Sequence, residues 1–164
     1  MLTLRPTKML AKRLKFTVPA APPPVADRLG DWCVNEFRFG RHRWLIVCNT
    51  ATLFPYVLSA RGVTDEVTLI RRVAGGLAEV VPASGGNPAF NRWIAAGLDE
   101  VQWAPIPDRA VLGSLSELAA QACFGLADGV ATPQELSRWL AQTPMKTIGH
   151  NSPDRAFRTL RDSK

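Results

Sequence analysis

Two strand-like runs joined by a Gly-Arg dipeptide constrain the fold of this chain more than any other feature. The runs cover residues 32–39 and 42–50 and are rich in aromatic and β-branched side chains, which favour strands. Glycine at the first of the two turn positions, Gly40, suits a type II′ turn, so we expect an antiparallel hairpin. The facing pairs predicted by this hairpin are Cys33 with Cys48, Asn35 with Ile46, and Phe37 with Trp44.

Side-chain alternation divides the hairpin between the two faces of a sheet. One face carries the three facing pairs together with Phe39 and His42. The other face carries Trp32, Val34, Glu36, Arg38, Arg43, Leu45, Val47 and Asn49, so it is apolar near the root and charged at the tip. Downstream helices must cover a face, and we expect the rings of Phe37, Phe39 and Trp44 to belong to the core.

Further strands are predicted on both sides of the hairpin. Leu2 to Arg5 is typical of a short strand, after which Thr7 supplies an N-cap for a basic helix. Leu53 to Ser59 continues the sheet as a third antiparallel strand. Pro55 places that strand at an edge or at a bulge, because proline lacks the amide donor. Alternation over residues 101–106 predicts another short strand.

Helix start signals recur through the second half of the chain. The expected N-caps are Thr64, Asn87, Ser114, Thr132 and Ser152, with Ser114 in a capping box with Glu117. The sequence thus predicts an α+β protein with a small, mainly antiparallel sheet of three to five strands and three to five helices packed chiefly on one face. Residues 1–144 are expected to form a single domain and residues 145–164 a loosely docked basic tail.

The composition is that of a soluble globular protein. The chain has 164 residues, 46% hydrophobic and 21% charged, with no apolar run long enough to span a bilayer. Its basic first segment lacks the apolar stretch of a secretory signal, so we expect a cytoplasmic protein without membrane association. Cys33, Cys48 and Cys123 are expected to be free thiols, because their odd number and wide spacing indicate neither a disulfide framework nor a zinc site. The sequence predicts no metal site and no cofactor.

Positive charge is concentrated at the predicted tip of the hairpin. The net charge of +6 favours acidic partners. Arg38, Arg41, His42 and Arg43 surround the turn and, together with the N-terminal lysines and the arginines of the C-terminal tail, are candidates for a phosphate-binding surface. The alternative is that these charges keep the end of the hairpin soluble and its edge unpaired.

Polar residues near the apolar root of the hairpin form a second candidate group. Asn35, Asn49 and Thr50 lie at strand positions where an amide or hydroxyl needs hydrogen-bond partners. They would suit a small polar ligand or a peptide backbone. The alternative is that they tie down strand ends and turns.

Arg109 and Ser114 form a third candidate group near a predicted helix start. A guanidinium beside a helix N-terminus suits a carboxylate or a phosphate. The alternative for Arg109 is an internal salt bridge to Glu36, Asp65 or Asp108.

Catalytic arrangements have little support, because the chain contains only two histidines, His42 and His150. We therefore expect a non-catalytic binding or interaction module of a regulatory, toxin-antitoxin or phage-related kind, whose basic surface faces nucleic acid or an acidic protein. The alternative is an enzyme acting on a phosphorylated or nucleotide substrate, with Arg109, Arg43, His42 and Asn49 in one cleft. A third alternative is a homodimer built on an uncovered sheet face or on the edge of the third strand.

Three stretches, "LTLRPTKMLAKRLK", "DWCVNEFRFGRHRWLIVCNTATLFPYVL" and "DRAVLGSLSEL", resemble in their order a family of small bacterial proteins, domain-of-unknown-function family 6933. The resemblance covers residues 1–126 or thereabouts. It implies that the basic start belongs to the domain, and it draws attention to Asn35, Asn49, Thr50, Arg109, Gly113 and Ser114. The chain departs from the family pattern at Cys33, where a histidine is common, and at Asp108, where an asparagine precedes the arginine. The resemblance implies no activity.

Overall fold

The computed structural model describes residues 2–20, 27–83, 91–92, 95–96, 100–130 and 132–163. Its strands are β1 (Leu2–Pro6), β2 (Asp31–Phe39), β3 (His42–Asn49), β4 (Pro55–Ser59) and β5 (Val101–Trp103). Its helices are α1 (Lys8–Arg13), α2 (Glu66–Ala83), α3 (Arg109–Ala127), α4 (Pro133–Ala141) and α5 (Pro153–Asp162), with short 3-10 turns at Arg28–Gly30 and Lys146–Ile148. The predicted α+β class is confirmed. The helix predicted to begin at Asn87 lies outside the described residues, apart from helical positions at 91–92 and 95–96.

One mixed, mostly antiparallel sheet joins the strands in the order β4-β3-β2-β1-β5. β2, β3 and β4 are antiparallel neighbours, whereas β1 runs parallel to both β2 and β5. The segment between β1 and β2, which includes α1, is long enough to return the chain to the same end of the sheet. The predicted hairpin register is confirmed, with Cys33 facing Cys48 and Phe37 facing Trp44. Gly40 takes the positive φ, +61°, that the turn requires.

Helices cover both faces of the sheet, which corrects the expectation that they lie chiefly on one face. On one face, Trp32, Val34, Leu45 and Val47 pack with Leu69, Val73 and Leu77 of α2 and Phe157 of α5. On the other face, Cys33, Ile46 and Cys48 pack with Leu115 and Leu118 of α3 and Leu136 and Leu140 of α4. The physical reason is in β3, where four consecutive apolar residues, 45–48, must all be removed from water.

The start of α3 differs from its prediction. The Asp108 side chain accepts a hydrogen bond from the Val111 amide at 2.8 Å, so Asp108 is the N-cap and the helix begins at Arg109. Ser114 therefore lies inside the helix, where its buried hydroxyl donates to the Ala110 carbonyl. An aspartate is as good a cap as a serine, and the earlier one allows a longer helix.

The start of α2 is displaced by one residue from its prediction. The Asp65 carboxylate, not the Thr64 hydroxyl, accepts a hydrogen bond from the Thr68 amide, at 2.8 Å. The predicted caps Thr7, Thr132 and Ser152 are confirmed.

By length and apolar composition, α3 is the one helix among the described residues that would be able to cross a membrane. A core helix of a globular protein passes the same test. In this fold Leu115, Leu118 and Ala122 of α3 are buried in the layer beneath the sheet.

The C-terminal segment differs from the expected loosely docked tail. Met145 and Phe157 are both 1% exposed, and each belongs to one of the two core clusters. The Phe157 ring stacks on Phe54 with centroids 4.4 Å apart and contacts Trp32 at 5.9 Å. The segment is held because α5 is amphipathic and places this one large ring in the core.

The outer edge of β4 is occupied by groups of the same chain. Pro55 offers no amide donor, and the Val57 amide donates to Ser137 Oγ of α4 at 2.9 Å. The Ser59 carbonyl accepts a hydrogen bond from the Arg72 guanidinium of α2. These two backbone groups of the β4 edge are thus bonded within the chain, and helices pack on both faces of the sheet. A homodimer stays a prediction.

Candidate functional site

The hairpin presents four basic side chains to solvent, Arg38, Arg41, His42 and Arg43, here called the basic tip. All four residues are exposed. Arg38 and Arg43 face each other directly across β2 and β3. Like charges in directly opposed positions destabilise a strand pair. A bound anion would relieve that repulsion.

One carboxylate, that of Glu36, offsets part of this charge. Its Oε1 lies 3.6 Å from Arg43 Nε, and its Oε2 accepts a hydrogen bond from Arg13 of α1. Two guanidinium groups therefore share one carboxylate. In the described part of the chain, no carboxylate pairs with Arg38 or Arg41. The surface around the hairpin turn is positive, and the positive region continues onto α1.

An exposed aromatic ring lies on α3, which packs on the face of the sheet opposite the side chains of Arg38 and Arg43. Cys123 Sγ lies 3.6 Å from the Arg38 carbonyl oxygen, which places the C-terminal half of α3 against the hairpin. The next residue, Phe124, is 70% exposed, and Trp139 of α4 is 43% exposed. The sequence analysis missed Phe124. Its position off the predicted apolar stripe of α3 is the signal that would have identified it.

Asn35 connects two elements of the fold. Its Oδ1 accepts hydrogen bonds from Thr7 Oγ1 at 2.7 Å and from the Glu36 amide at 2.8 Å. Thr7 Oγ1 in turn accepts from the Leu10 amide and so caps α1. Asn35 thereby fixes the start of α1 on β2, away from the basic tip.

Asn49 is fully buried and uses both ends of its amide. Nδ2 donates to the carbonyls of Arg28 and Asp31, at 2.9 and 3.2 Å. Oδ1 accepts from the Ala51 and Thr52 amides and from Thr52 Oγ1. These contacts hold the turn after β3 against the start of β2, and the burial of Asn49 keeps a ligand from its amide.

Thr50 belongs to a buried polar cluster that the sequence analysis did not identify. Its hydroxyl donates to Asp31 Oδ1 at 2.9 Å. Arg5 binds the same carboxylate at two points, with Nε 2.7 Å from Oδ1 and a terminal nitrogen 3.1 Å from Oδ2. Arg5 also donates to the Pro105 carbonyl at 2.6 Å. The sequence signal for this cluster is Arg5, a charged residue in the buried strand β1, which needs a buried counter-charge.

Two cysteines extend the cluster into the core. Cys33 Sγ lies 3.2 Å from Thr50 Oγ1. Since the Thr50 proton is committed to Asp31, the Cys33 thiol is the donor in that contact. The hydrogen bond to Cys33, reinforced by burial, raises the pKa of the Cys48 thiol well above its ordinary value. The Cys48 thiol is thus kept protonated and unreactive.

Arg109 and Ser114 do not form a common site. Arg109 is the exposed first residue of α3, and in the described chain no carboxylate pairs with it. Ser114 Oγ is buried and lies 2.5 Å from Thr147 Oγ1, which attaches the C-terminal segment to α3. The predicted pairing of a guanidinium and a hydroxyl around one anion is therefore absent from this region.

The structure also separates the residues of the alternative enzymatic cleft. His42 and Asn49 lie at opposite ends of β3, about 23 Å apart along the strand. Arg109 lies about 20 Å along α3 from Cys123, the residue that contacts the hairpin tip. Arg109, Arg43, His42 and Asn49 accordingly do not converge.

A cavity of about 470 Å³ opens between β4, α2, α4 and α5. Its floor is apolar and includes Phe54 and Val57. Its charged residues are Glu79, Asp154, Arg138 and Arg158, so the charges balance. None of the candidate residues named above lines it. Among the residues that the structure describes, no group of three His, Cys, Asp or Glu side chains is arranged to hold a metal ion.

Comparison with known proteins identifies a family and no function. The family model described as a domain of unknown function (DUF6933) matches residues 3–156. The match extends past the region of resemblance seen in the sequence and includes the start of α5. No curated protein and no solved structure matches the chain. Since the family model spans nearly the whole sequence, the protein belongs to the DUF6933 family.

Proposed function

We propose that this protein is a non-catalytic, cytoplasmic binding module whose basic tip contacts the phosphate groups of nucleic acid. The observation that carries the proposal is the facing pair Arg38 and Arg43, exposed on adjacent strands with Glu36 as the nearest compensating charge. Guanidinium groups bind phosphate through paired donors, and two of them side by side suit consecutive phosphates of a backbone.

The placement of neighbouring charges supports the same surface. Arg13, in the last turn of α1, is joined to the hairpin through Glu36. Lys12 precedes it and is exposed, so the positive surface extends from the turn onto this helix. The arginines of α5 lie elsewhere, because Phe157 anchors that helix on Trp32, about 20 Å along β2 from Arg38. The basic tip and α1 therefore form the binding surface by themselves.

The test is a binding titration with fluorescently labelled RNA and DNA across a range of salt, about 50 to 200 mM. We expect the affinity to fall steeply with salt, because neutralising each phosphate releases a counterion. The variant R38Q/R43Q should bind more weakly and flatten the logarithmic salt slope by about two.

The matched control is R155Q/K146Q, which removes two exposed charges outside the basic tip. It should bind like the unmodified protein. Absence of binding at the lowest salt would overturn the proposal, as would equal losses in the two double variants. Equally tight binding of polyglutamate would instead identify an acidic protein as the partner.

A further inference from the structure

We infer that the cavity beside β4 binds a short zwitterionic peptide, two or three residues long, with apolar side chains. This inference goes beyond the proposed function, because none of the residues of the basic tip lines the cavity. Pro55 of the cavity wall faces Cys48, which is six residues along β3 from His42, about 20 Å. The cavity is therefore a second site.

Contacts between secondary-structure elements hold the walls of the cavity in place. The Val57 amide of β4 donates to Ser137 Oγ of α4 at 2.9 Å. The ring of Phe54, just before β4, stacks on Phe157 of α5 with centroids 4.4 Å apart. The volume of about 470 Å³ is in the range of small-molecule sites. A ligand therefore meets a preformed site, which limits the entropy lost on binding.

The floor of the cavity suits apolar side chains. It is formed by uncharged residues of three elements and of the segment before β4, namely Phe54, Val57, Leu58, Val80 and Ala141. An apolar side chain placed there removes both its own surface and that of the floor from water. This term is not directional, so the floor supplies affinity and leaves the orientation of the ligand to polar groups.

Four charged residues surround the floor, and two of them already neutralise each other. Arg158 lies 2.9 Å from Asp154, one turn earlier on α5. In the described part of the chain, no salt bridge includes Glu79 of α2 or Arg138 of α4. Because α2 and α4 pack on opposite faces of the sheet, these two charges approach the cavity from different sides. Both residues are exposed, so a ligand reaches them.

The ligand that complements this pair carries one positive and one negative charge. A ligand with a single charge would leave either Glu79 or Arg138 without a partner beside an apolar surface, which lowers the affinity. An ammonium group pairs with the Glu79 carboxylate, and a carboxylate matches the forked donors of the Arg138 guanidinium. The two termini of a peptide supply these groups.

The size of the cavity sets the length of the peptide. A sphere of the same volume is about 10 Å across, and an extended chain spans about 3.3 to 3.6 Å per residue. Two or three residues therefore fill the cavity. In a free amino acid both charges are attached to one carbon atom, so they are too close together to reach both walls.

The outer side of β4 offers acceptors for the amides of the peptide. The Val57 amide points away from β3, toward Ser137. The carbonyl of Val57 points to the same side, as does that of Pro55 two residues earlier, because backbone direction alternates along an antiparallel strand. In the described part of the chain, neither carbonyl accepts a hydrogen bond from a turn, a loop or a side chain. A peptide is thus favoured over zwitterions that lack amide groups.

The experiment measures binding of the dipeptide Leu-Leu by isothermal titration calorimetry and by the rise that it causes in the melting temperature. Leu-Leu should bind. Acetyl-Leu-Leu lacks the ammonium group and Leu-Leu-amide lacks the carboxylate, so each should bind about tenfold more weakly. Free leucine should also bind more weakly than Leu-Leu, because it spans only part of the cavity.

Two variants assign the charges. E79Q should weaken binding of Leu-Leu about tenfold and leave acetyl-Leu-Leu unchanged, because that peptide has no ammonium group to pair. R138Q should weaken Leu-Leu equally and leave Leu-Leu-amide unchanged. The matched control E117Q/R155Q removes one exposed charge of each sign outside the cavity and should bind Leu-Leu like the unmodified protein. Because all four side chains are exposed, thermal melts should show that the variants remain folded.

Three results would overturn the inference. They are absence of Leu-Leu binding at millimolar concentration, equal binding of Leu-Leu and the doubly blocked acetyl-Leu-Leu-amide, and equal losses in the control and in the two cavity variants. R38Q/R43Q, which removes charge from the basic tip, should bind Leu-Leu like the unmodified protein. Failure of the cavity to bind peptide therefore leaves the proposed function untouched, and failure of nucleic-acid binding leaves this inference untouched.

Discussion

Arg5 of β1 and Asp31 of β2 form a buried ion pair, with Nε 2.7 Å from Oδ1 and a second contact of 3.1 Å to Oδ2. The two residues are 6% and 7% exposed. The pair joins the parallel strand β1 to the antiparallel part of the sheet. The Asp31 carboxylate also accepts a hydrogen bond from the Thr50 hydroxyl. A single carboxylate therefore links β1, the start of β2 and the residue that follows β3.

Removing one partner of this pair should destabilise the fold strongly. In D31N the guanidinium of Arg5 would remain buried without its counter-charge, which costs about 3 to 5 kcal/mol. The free energy of unfolding, measured in urea, gives the loss. The double variant R5M/D31L should lose less than the sum of R5M and D31L, because neither partner is left charged and alone. Additive losses would contradict the buried pair.

Replacement of Asn49 should cost more than replacement of Asn35. N49A removes five hydrogen bonds made by a fully buried side chain. Several buried polar groups then lose their partners, which should lower the free energy of unfolding by about 3 kcal/mol. N35A removes the two bonds accepted by a partly exposed side chain, at about 1 kcal/mol. Urea unfolding of both variants decides the matter. Similar losses would show that the Asn49 contacts are replaced by water.

Two glycines of α3 should respond in opposite directions to alanine. G125A places a methyl group 2.6 Å from Leu136 Cδ1, and this overpacking should cost about 1 to 3 kcal/mol. At Gly113 the same methyl group meets nothing within 4 Å, so G113A should stabilise the helix by about 0.5 to 1 kcal/mol. Thermal melts of the two variants measure the difference. A stabilising effect at both positions would contradict the close approach of α4.

The cap of α2 should make a small part of the stability dependent on pH. Hydrogen bonds from the backbone and side chain of Thr68 hold the pKa of Asp65 below its ordinary value. A lowered pKa in the folded state means that this contribution is complete above the unfolded pKa of about 3.9 and disappears as the pH falls through the folded value. D65N removes the charge and keeps a capping side chain.

The melting temperatures of the unmodified protein and D65N should therefore differ most near neutral pH. The gap should close as the solution is made more acidic than about pH 3.9. A gap of constant size down to strongly acidic solution would show that the charge of Asp65 contributes nothing to folding.

The elements with strong local signals were predictable from the sequence. Gly40 fixed the hairpin register, because a two-residue turn with glycine at its first position leaves one pairing of the strands. Pro55 predicted an edge position or a bulge for β4, because proline has no amide proton to donate to a neighbouring strand, and β4 is an edge strand. These are short-range effects, and they require no knowledge of the rest of the chain.

The features that depend on distant contacts were not predictable in the same way. Burial of both sheet faces followed from how α2 and α3 pass on opposite sides of the sheet, a matter of topology. The docking of α5 depends on one ring, Phe157, finding Phe54. The basic tip was visible in the sequence as a charge cluster around Gly40.

The hydrogen bond between the Val57 amide and Ser137 Oγ has a consequence for synthesis of the chain. The two residues are 80 positions apart, so β4 is made long before the helix that covers its edge. At a translation rate of about 5 to 20 residues per second, that edge waits for roughly 4 to 16 seconds. During this time the growing sheet exposes an unpaired edge strand to other chains. Pro55, which has no amide donor for a neighbouring strand, then protects this edge against aggregation on the ribosome.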